Sequence, residues 1–189
     1  QCLESIKLAR KKGACTILDV VTLHNDVYGG AMIREGARFG IRSPQHPKLG
    51  RQILAEYEAV DFLRVMSGPA RATFLERGFD PKRVFAAAPP VELPDLPSTP
   101  YEPDPFIVCS VGLLDPAKGF HHLIEAFRAL DHRNSELWLW GNTGNRAVAR
   151  YLAEQMSACP RIKLKPVSVR EAGHAKVYGV SSVLVHASL

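Results

Sequence analysis

A lysine at a predicted strand-to-helix junction is the residue of this chain best placed for binding chemistry. Lys118 lies in segment 111–120, where an apolar strand gives way to an amphipathic helix. Asp115 is placed to cap that helix, and Pro116 suits its first position, where no N–H is required. A cation in the first turn of a helix is unfavourable by roughly 0.3 to 1 kcal/mol, because the helix dipole is positive there. A negatively charged ligand would relieve this conflict, and an ammonium group extending into water is the equally weighted alternative.

Histidines are the second group of candidates. His24 follows the β-branched strand predicted over 16–23. A histidine at the C-terminal end of a strand is positioned for substrate contact or general base chemistry, although a solvated or hydrogen-bonded structural histidine is more common. The pair His121 and His122 falls in the first turns after Lys118. We expect one ring of the pair to face water and the other to border a ligand-binding edge.

The familiar nucleotide, dinucleotide and metal motifs do not occur in the sequence. Without G-x-x-x-x-G-K-[ST] or G-x-G-x-x-G, an NTPase or a dinucleotide dehydrogenase is disfavoured. Gly141 and Asn142 open a G-x-x-G segment that could present backbone N–H groups to a ligand, although an ordinary turn is the commoner meaning. Neither H-E-x-x-H nor Asp-x-Asp is found, so we expect no catalytic metal.

Composition and charge narrow the class of protein and of partner. The chain has 189 residues, of which 46% are hydrophobic and 23% charged, enough for one large domain or two small ones. The net charge of +5 is spread evenly along the chain: residues 1–100 include 14 basic and 11 acidic residues, and residues 101–189 include 10 basic and 8 acidic residues. This balance suits an acidic small molecule or an anionic membrane surface. It argues against nucleic acid, because no basic run extends beyond 10–12.

The cysteines and the hydropathy pattern predict a reduced, cytoplasmic setting. The four cysteines form no Cys-x-x-Cys pair, so neither a cysteine zinc site nor a disulfide framework is indicated. No apolar run reaches about 18 residues, and the start has no signal-peptide pattern. The basic run 10–12 is best interpreted as a solvated helix end, and peripheral contact with a membrane surface is the alternative.

Predicted helices and strands alternate along the chain. The first half has predicted helices at 2–12, 31–39, 48–59 and 69–77, and predicted strands at 16–23, 62–66 and 83–87. Seven prolines between 88 and 105 predict a stiff linker over 89–105. The second half has predicted strands at 106–111, 136–140, 161–164 and 182–186, and predicted helices at 117–130, 145–157 and 170–178. This order predicts an α/β fold with domains 1–88 and 106–189, and a parallel sheet built from right-handed crossovers.

Ligands of such sheets bind beyond the C-terminal ends of the strands. In the second half, that rule gathers four segments into one predicted binding edge, at 112–119, 141–145, 166–168 and 186–189. Trp138 and Trp140 alternate along one strand and are expected to pack together beneath a helix, with a sugar-stacking platform as the less favoured alternative.

The succession of these segments resembles that of GT-B glycosyltransferases of the glycosyltransferase family 4 type. Val-Gly-x-Leu-x-x-x-Lys-Gly at 111–119, followed by Leu-Ile-Glu-Ala-Phe at 123–127, is similar to the start of that family's C-terminal domain. Segments 56–84, 137–141 and 181–188 also resemble the family in the expected order. The resemblance implies two Rossmann-like domains with parallel sheets, both incomplete. Residues 1–88 would end the N-terminal, acceptor-side domain, and 106–189 would begin the nucleotide-sugar-binding domain.

The resemblance also implies an activity, which is the transfer of a sugar from a nucleotide-diphosphate donor to a glycan or lipid-linked acceptor. The transfer would retain the configuration of the sugar and need no metal, and it would serve polysaccharide or glycolipid assembly. No cofactor is implied. Lys118 would stabilise charge on the leaving diphosphate together with the helix N-terminus. His24 matches the place of an active-site histidine near the transferred sugar, and is the implied catalytic residue. The implied donor-binding residues are Gly112, Lys118, Gly119, Gly141 and Asn142.

Two departures from the family pattern matter. Leu113 stands where the family has an arginine, and this removes a bidentate phosphate donor that lysine does not replicate. The family's E-x7-E segment would begin after residue 189, and its acceptor loop and first strands would precede residue 1. We therefore expect the chain to be the middle of a transferase, with little or no catalysis by itself. The alternatives are a non-catalytic module that binds a nucleotide sugar or a partner, and a sugar-nucleotide epimerase-like protein of the same architecture.

Overall fold

The computed structural model describes residues 2–41, 47–90, 104–165 and 174–188. These residues form helices and two parallel β-sheets, as the α/β prediction requires. The chain divides into a first unit, Gln1–Arg34 with Ser43–Glu92, and a second unit, Glu35–Arg42 with Leu93–Leu189. The predicted linker residues 91–103 lie outside the described part of the chain. None of the described helices is long and apolar enough to cross a membrane.

The first unit contains a three-stranded sheet in the order β1-β2-β3. The strands are β1 Ile17–Val20, β2 Phe62–Val65 and β3 Val84–Ala86, and all pair in parallel. The helices are α1 Leu3–Lys11, α2 Asn25–Ala37, which continues into the second unit, α3 Pro47–Ala59 and α4 Gly68–Leu75. Leu63, Val65 and Phe74 are fully buried and form the centre of this unit's core.

Helix α2 begins at Asn25, so the predicted helix start at residue 31 is wrong. The carbonyl of His24 accepts hydrogen bonds from the N–H groups of Val27 and Tyr28, which start the helix immediately after His24. Gly29 and Gly30 lie inside the helix, although a glycine there costs about 1 kcal/mol relative to alanine. Local propensity indicated a loop at this position, and the folded chain overrides it.

The second unit contains a four-stranded sheet in the order β6-β5-β4-β7, and every pairing is parallel. The strands are β4 Phe106–Val111, β5 Ser135–Trp140, β6 Ile162–Lys165 and β7 Val183–Leu184. The helices are α5 Phe120–Ala129, α6 Arg146–Ala158 and α7 His174–Gly179. All four predicted strands are present. Residues 170–173, at the start of the predicted helix 170–178, lie outside the described residues.

The apolar face of α5 fixes this helix to the sheet. Phe120, Ile124 and Phe127 are each no more than 2% exposed, and they share a core with Leu137 and Leu139 of β5. Full burial of a side chain of this size contributes about 1.5–3 kcal/mol relative to exposure. The helical spacing of these three residues in the sequence therefore predicted the buried face correctly.

The predicted packing of the two tryptophans beneath a helix is also confirmed. The rings of Trp138 and Trp140 lie 6.3 Å apart between centroids, and both contact the cluster around Val177 of α7. The ammonium group of Lys165 lies 4.1 Å from the centre of the Trp138 ring, which is within the range of a cation–π interaction.

The helix predicted over 117–130 is divided into two pieces. Pro116–Lys118 form a 3₁₀ turn, which Asp115 caps by accepting the N–H of Ala117 at Oδ1 over 3.0 Å. Gly119 has φ 61°, a left-handed conformation, and α5 begins only at the next residue. The predicted capping role of Asp115 is confirmed. The predicted location of Lys118 in the first turn of the long helix is wrong, because Gly119 separates the lysine from that helix.

The loops after β4 and β5 touch through their backbones. The N–H of Gly112 donates to the carbonyl of Trp140 at 3.0 Å, and the N–H of Gly141 donates to that of Lys165 at 3.0 Å. A Cβ atom added to Gly141 would lie 1.9 Å from the carbonyl oxygen of Gly112. Gly141 also has φ 142°, a value that residues with side chains rarely adopt. Only glycine therefore fits at residue 141.

Replacing Gly141 by alanine is expected to destabilise the second unit by about 2 kcal/mol or more, because the new Cβ collides with backbone and the φ angle is strained. Gly144→Ala is the matched control, since no atom lies within 4 Å of a Cβ built at that position. Urea unfolding followed by tryptophan fluorescence measures both effects. Equal unfolding midpoints for the two variants would contradict the described contact.

Candidate functional site

The donor-binding residues implied by the resemblance lie at the C-terminal edge of the second unit's sheet. Gly112 directly follows β4, and Gly141 and Asn142 directly follow β5. A Cβ atom on Gly119 would lie 2.0 Å from the carbonyl oxygen of Ala187, in the segment after β7. The structure thus brings the loops after three parallel strands together at this edge. Of the predicted binding edge, residues 166–168 and 189 lie outside the described residues.

The loops at this edge are joined by a further backbone hydrogen bond. The N–H of Leu114 donates to the carbonyl of Asn142 at 2.9 Å. A narrow cleft of about 10 Å³ lies at the same edge, between the loop after β4 and the segment after β7, and its lining includes Leu113, Lys118 and His186. A space of this size holds about one water molecule. A larger ligand would therefore have to lie on the open face of the edge.

Two sources of positive potential face this edge. The side chain of Lys118 is exposed to solvent. Helix α5 begins at Phe120, and its N-cap residue, Gly119, has no side chain to cap the first N–H groups of the helix. Such groups attract an anion, because they are unpaired donors at the positive end of the helix dipole. The anion-binding interpretation therefore rests on the start of α5, with Lys118 in the loop before it.

Leu113 and His186 complete the lining of the cleft. Leu113 is 59% exposed, so an apolar side chain occupies the place where the resemblance implies an arginine. His186 is exposed, and its Nε2 lies 2.8 Å from the hydroxyl oxygen of Ser188. His186 belongs to the segment that the sequence predicts at the binding edge, and in the structure it lies with Lys118 in the lining of one cleft.

His24 lies in the core of the first unit. Its side chain is 3% exposed, and its ring is 4.9 Å from that of Phe74 and 5.5 Å from that of Tyr57, between centroids. Its backbone N–H donates to Thr73 Oγ1 at 2.9 Å, and its Nδ1 accepts the N–H of Asp26 at 3.3 Å. Burial lowers the pKa of His24, which favours the neutral ring. These contacts account for a structural histidine, and a catalytic role stays a prediction.

A carboxylate that the sequence analysis missed accompanies the histidine pair of α5. Glu35 Oε2 lies 2.9 Å from His121 Nε2 and 3.4 Å from His122 Nε2, all within the second unit. His122 is partly exposed, as expected for one ring of the pair, and His121 is buried against Glu35. No local motif could reveal this cluster, because Glu35 and His121 are 86 residues apart.

A wide depression of about 880 Å³ in the first unit does not involve the predicted residues. Its lining includes Arg10, Asp61 and Arg83, which lie before the strands, at their N-terminal ends. Some of these groups are already paired, since Arg10 Nη2 is 3.1 Å from Asp61 Oδ1. Ligands of parallel sheets bind at the opposite ends of the strands. We therefore do not assign the site here, although this space is much larger than the cleft.

Comparison with known proteins identifies the fold. No family model and no curated protein matches the sequence. The lipopolysaccharide outer core galactosyltransferase WaaB matches with a TM-score of 0.60 and 14% identity, over 98% of this chain and 53% of that chain. Anabaena HepE in complex with UDP-glucose matches with a TM-score of 0.65 and 13% identity, over 97% of this chain and 50% of that chain. The pneumococcal O-GlcNAc transferase GtfA, in complex with UDP and GlcNAc, matches with a TM-score of 0.59 and 16% identity, over 97% of this chain and 34% of that chain.

The chain has part of a GT-B fold. Its two groups of parallel strands match the two-domain, Rossmann-like architecture of these neighbours, which confirms the expected fold class. The chain spans about half of the length of WaaB and HepE, and about a third of that of GtfA. Membership of glycosyltransferase family 4 stays a prediction of the sequence resemblance.

Because the pKa of His24 is lowered from 6.5, this residue makes the stability of the first unit depend on pH. Between the lowered pKa and 6.5, the unfolded chain binds more protons than the native chain. The stability contributed by the neutral ring is complete above 6.5 and is lost as the pH falls through that range. We expect the free energy of unfolding, measured with urea from about pH 7.5 to about pH 5, to fall less steeply in His24→Phe than in the parent chain.

The comparison isolates His24, because every other titrating group, including His121, is present in both proteins. His121 also has a pKa lowered by burial and contributes to the slope of both curves in the same direction. Parallel pH curves for the parent and His24→Phe would show that His24 does not titrate in this range.

Proposed function

We propose that this chain forms part of a GT-B glycosyltransferase that moves a sugar from a nucleotide-diphosphate donor to a glycan or lipid-linked acceptor. The observation that carries the proposal is the convergence of glycine-rich loops and Lys118 at one edge of a parallel sheet. The solved neighbours support it, since one is named a galactosyltransferase and another is in complex with UDP-glucose. A nucleoside diphosphate is the anion that this edge would bind.

The donor would bind with its diphosphate against the start of α5. The uncapped N–H groups of that helix and the ammonium group of Lys118 would face the phosphates. As the bond from the sugar C1 to the diphosphate oxygen breaks, negative charge accumulates on the leaving group. Donors that are already in place stabilise this charge without reorganisation. Backbone contacts hold Gly112, Gly119 and Gly141 in fixed positions, and this rigidity favours such preorganisation.

The finer features of the proposal come from the resemblance to family 4 enzymes. They are retention of configuration, transfer without a metal or a cofactor, and a place in polysaccharide or glycolipid assembly. We assign His24 to the region of the transferred sugar on the same basis. A net charge of +5 and the basic run at the end of α1 support contact with an anionic membrane surface on the cytoplasmic side.

A non-catalytic module that binds a nucleotide sugar or a partner is the second candidate. It is favoured by the exposed Leu113, because an apolar residue in the diphosphate loop removes a bidentate donor. Both candidates predict binding of a nucleoside diphosphate, and only the enzyme transfers or hydrolyses a donor sugar. The two candidates are separated by incubating UDP-sugars and GDP-sugars with the longest polypeptide that contains this chain. Release of free UDP or GDP is expected only from the enzyme.

Lys118→Ala is expected to weaken the binding of UDP or GDP about tenfold, because one charge-assisted contact contributes about 1.5–3 kcal/mol. Isothermal titration of each nucleotide into the parent and the variant measures the effect. Lys11→Ala, which removes another exposed lysine, is the matched control and should leave the affinity unchanged. Equal affinities for the parent and Lys118→Ala would remove Lys118 from the proposed site.

Leu113→Arg is expected to tighten the binding of the same nucleotide about tenfold, since a guanidinium group at this position restores a bidentate phosphate donor. Leu130→Arg introduces the same charge at a leucine that is 42% exposed at the end of α5, and it serves as the control. If both variants bind the nucleotide equally, the loop that contains Leu113 does not face the diphosphate.

A further inference from the structure

Three metal-ligating side chains converge in the second unit near the start of α5. They belong to Glu35, in the last turn of α2, and to the neighbouring residues His121 and His122. Glu35 Oε2 lies 2.9 Å from His121 Nε2 and 3.4 Å from His122 Nε2. One potential ligand atom from each residue lies within 4.8 Å of the other two. The three groups are therefore close enough to bind a single ion.

These separations suit a small tetrahedral cation. Zinc bonds of about 2.0–2.1 Å to nitrogen and oxygen place neighbouring ligands about 3.3 Å apart in a tetrahedron. The two distances to Glu35 lie on either side of that value. Each of these two distances is within a few tenths of an ångström of the separation in a coordinated ion, and the two histidine ligand atoms lie within 4.8 Å of each other. The bound ion would replace the hydrogen bond between His121 and Glu35.

The donor set selects the class of metal. Two imidazole nitrogens and one carboxylate oxygen suit zinc and its neighbours in the transition series. Calcium and magnesium prefer ligand sets made of oxygen atoms alone. Three protein ligands leave one tetrahedral position for water. His122, whose side chain is 36% exposed, gives the site access to solvent.

The surroundings hold both rings in place. His121 is 2% exposed, and its ring lies 5.3 Å from that of Phe39 and 5.4 Å from that of Phe120, between centroids. His122 Nδ1 lies 3.9 Å from a carboxylate oxygen of Glu125, one turn further along α5. A carboxylate near the outer nitrogen of a metal-binding histidine directs the other nitrogen towards the ion.

The two neutral tautomers of His121 interact differently with Glu35. A neutral ring that donates Nε2–H to Glu35 has an unprotonated Nδ1, and this buried atom has no hydrogen-bond partner among the described residues. The other neutral tautomer would direct the lone pair of Nε2 at the carboxylate, which is repulsive. A cation at Nε2 converts that repulsion into attraction.

Arg38 is the group that competes with a metal for Glu35. Its Nε lies 2.9 Å from the same oxygen, Glu35 Oε2, and its Nη1 lies 3.9 Å from Glu125 Oε1. The Arg38 side chain is 49% exposed, so it is free to turn away from Glu35 towards solvent. The affinity for a cation therefore depends on displacing this guanidinium group. Removing the Arg38 charge would strengthen metal binding.

We propose that Glu35, His121 and His122 form a zinc-binding site that fastens the segment 35–41 to α5. Phe39 and Ile41 of this segment pack on the core of the second unit. Zinc would add a cross-link between two stretches of chain that are distant in sequence. The zinc ligands are side-chain atoms, whereas the proposed diphosphate site uses backbone N–H groups at the start of α5 and the side chain of Lys118, so the two proposals are tested separately.

The test titrates zinc chloride into the chelator-treated 189-residue chain, without nucleotide or phosphate, and follows the heat of binding. We expect one zinc ion per chain, and an affinity at least about tenfold lower in Glu35→Gln and His122→Gln. His132→Gln removes an exposed histidine outside the cluster and should bind zinc like the parent. Cobalt in place of zinc should give the visible spectrum of a tetrahedral site without thiolate ligands, which excludes the four free cysteines.

Arg38→Gln distinguishes the zinc site from a simple hydrogen-bonded network, since the variant should bind zinc more tightly than the parent. Circular dichroism checks that each variant is folded. Because His122 is partly exposed, His122→Gln disturbs the fold less than a substitution of the buried His121 would. The proposal is overturned if the parent and Arg38→Gln both fail to bind zinc, or if His122→Gln and Glu35→Gln bind it like the parent. UDP binding measured without zinc is unaffected by either result, so the two proposals fail separately.

Discussion

The close approach of Gly112 and Gly141 determines the shape of the candidate site. Parallel pairing brings the ends of β4 and β5 together, and the space between their loops excludes even a Cβ atom at Gly141. The two loops therefore leave the sheet in contact, and the N–H of Leu114 reaches the carbonyl of Asn142. A binding edge of this kind is made of backbone, so its geometry is set by the sheet and depends little on side-chain rotamers.

Gly119 connects this edge to α5. Its left-handed conformation ends the 3₁₀ turn that Asp115 caps, and its Cα faces the carbonyl of Ala187 too closely for a side chain. The direction of α5 is then fixed by the burial of Phe120 and Ile124 against the sheet. The same glycine leaves the first N–H groups of the helix without a side-chain cap. Packing and the proposed anion binding thus depend on the same residue at position 119.

The parts of the fold that local pattern determines could be predicted from the sequence. The strand at 106–111 has the observed bounds, because four apolar residues in a row open it and prolines precede it. The buried face of α5 followed from helical spacing. Two helix boundaries were wrong for physical reasons. Gly29 and Gly30 indicate a loop by propensity but lie within α2, and helical periodicity continues across Gly119 although the helix does not.

The Glu35 cluster could not be predicted, because it depends on a contact between distant parts of the chain. Adjacent residues of a helix point about 100° apart, and the sequence therefore predicted one ring facing water and one bordering the binding edge, whereas His121 is buried against Glu35. Both rings reach one carboxylate only because the end of α2 lies against the start of α5 within the second unit. The spacing of residues in a motif reveals only ligands that lie on one helix or loop. The ligands of this cluster lie on two different helices. A search for local metal-binding motifs therefore could not detect a cluster that is assembled by tertiary packing.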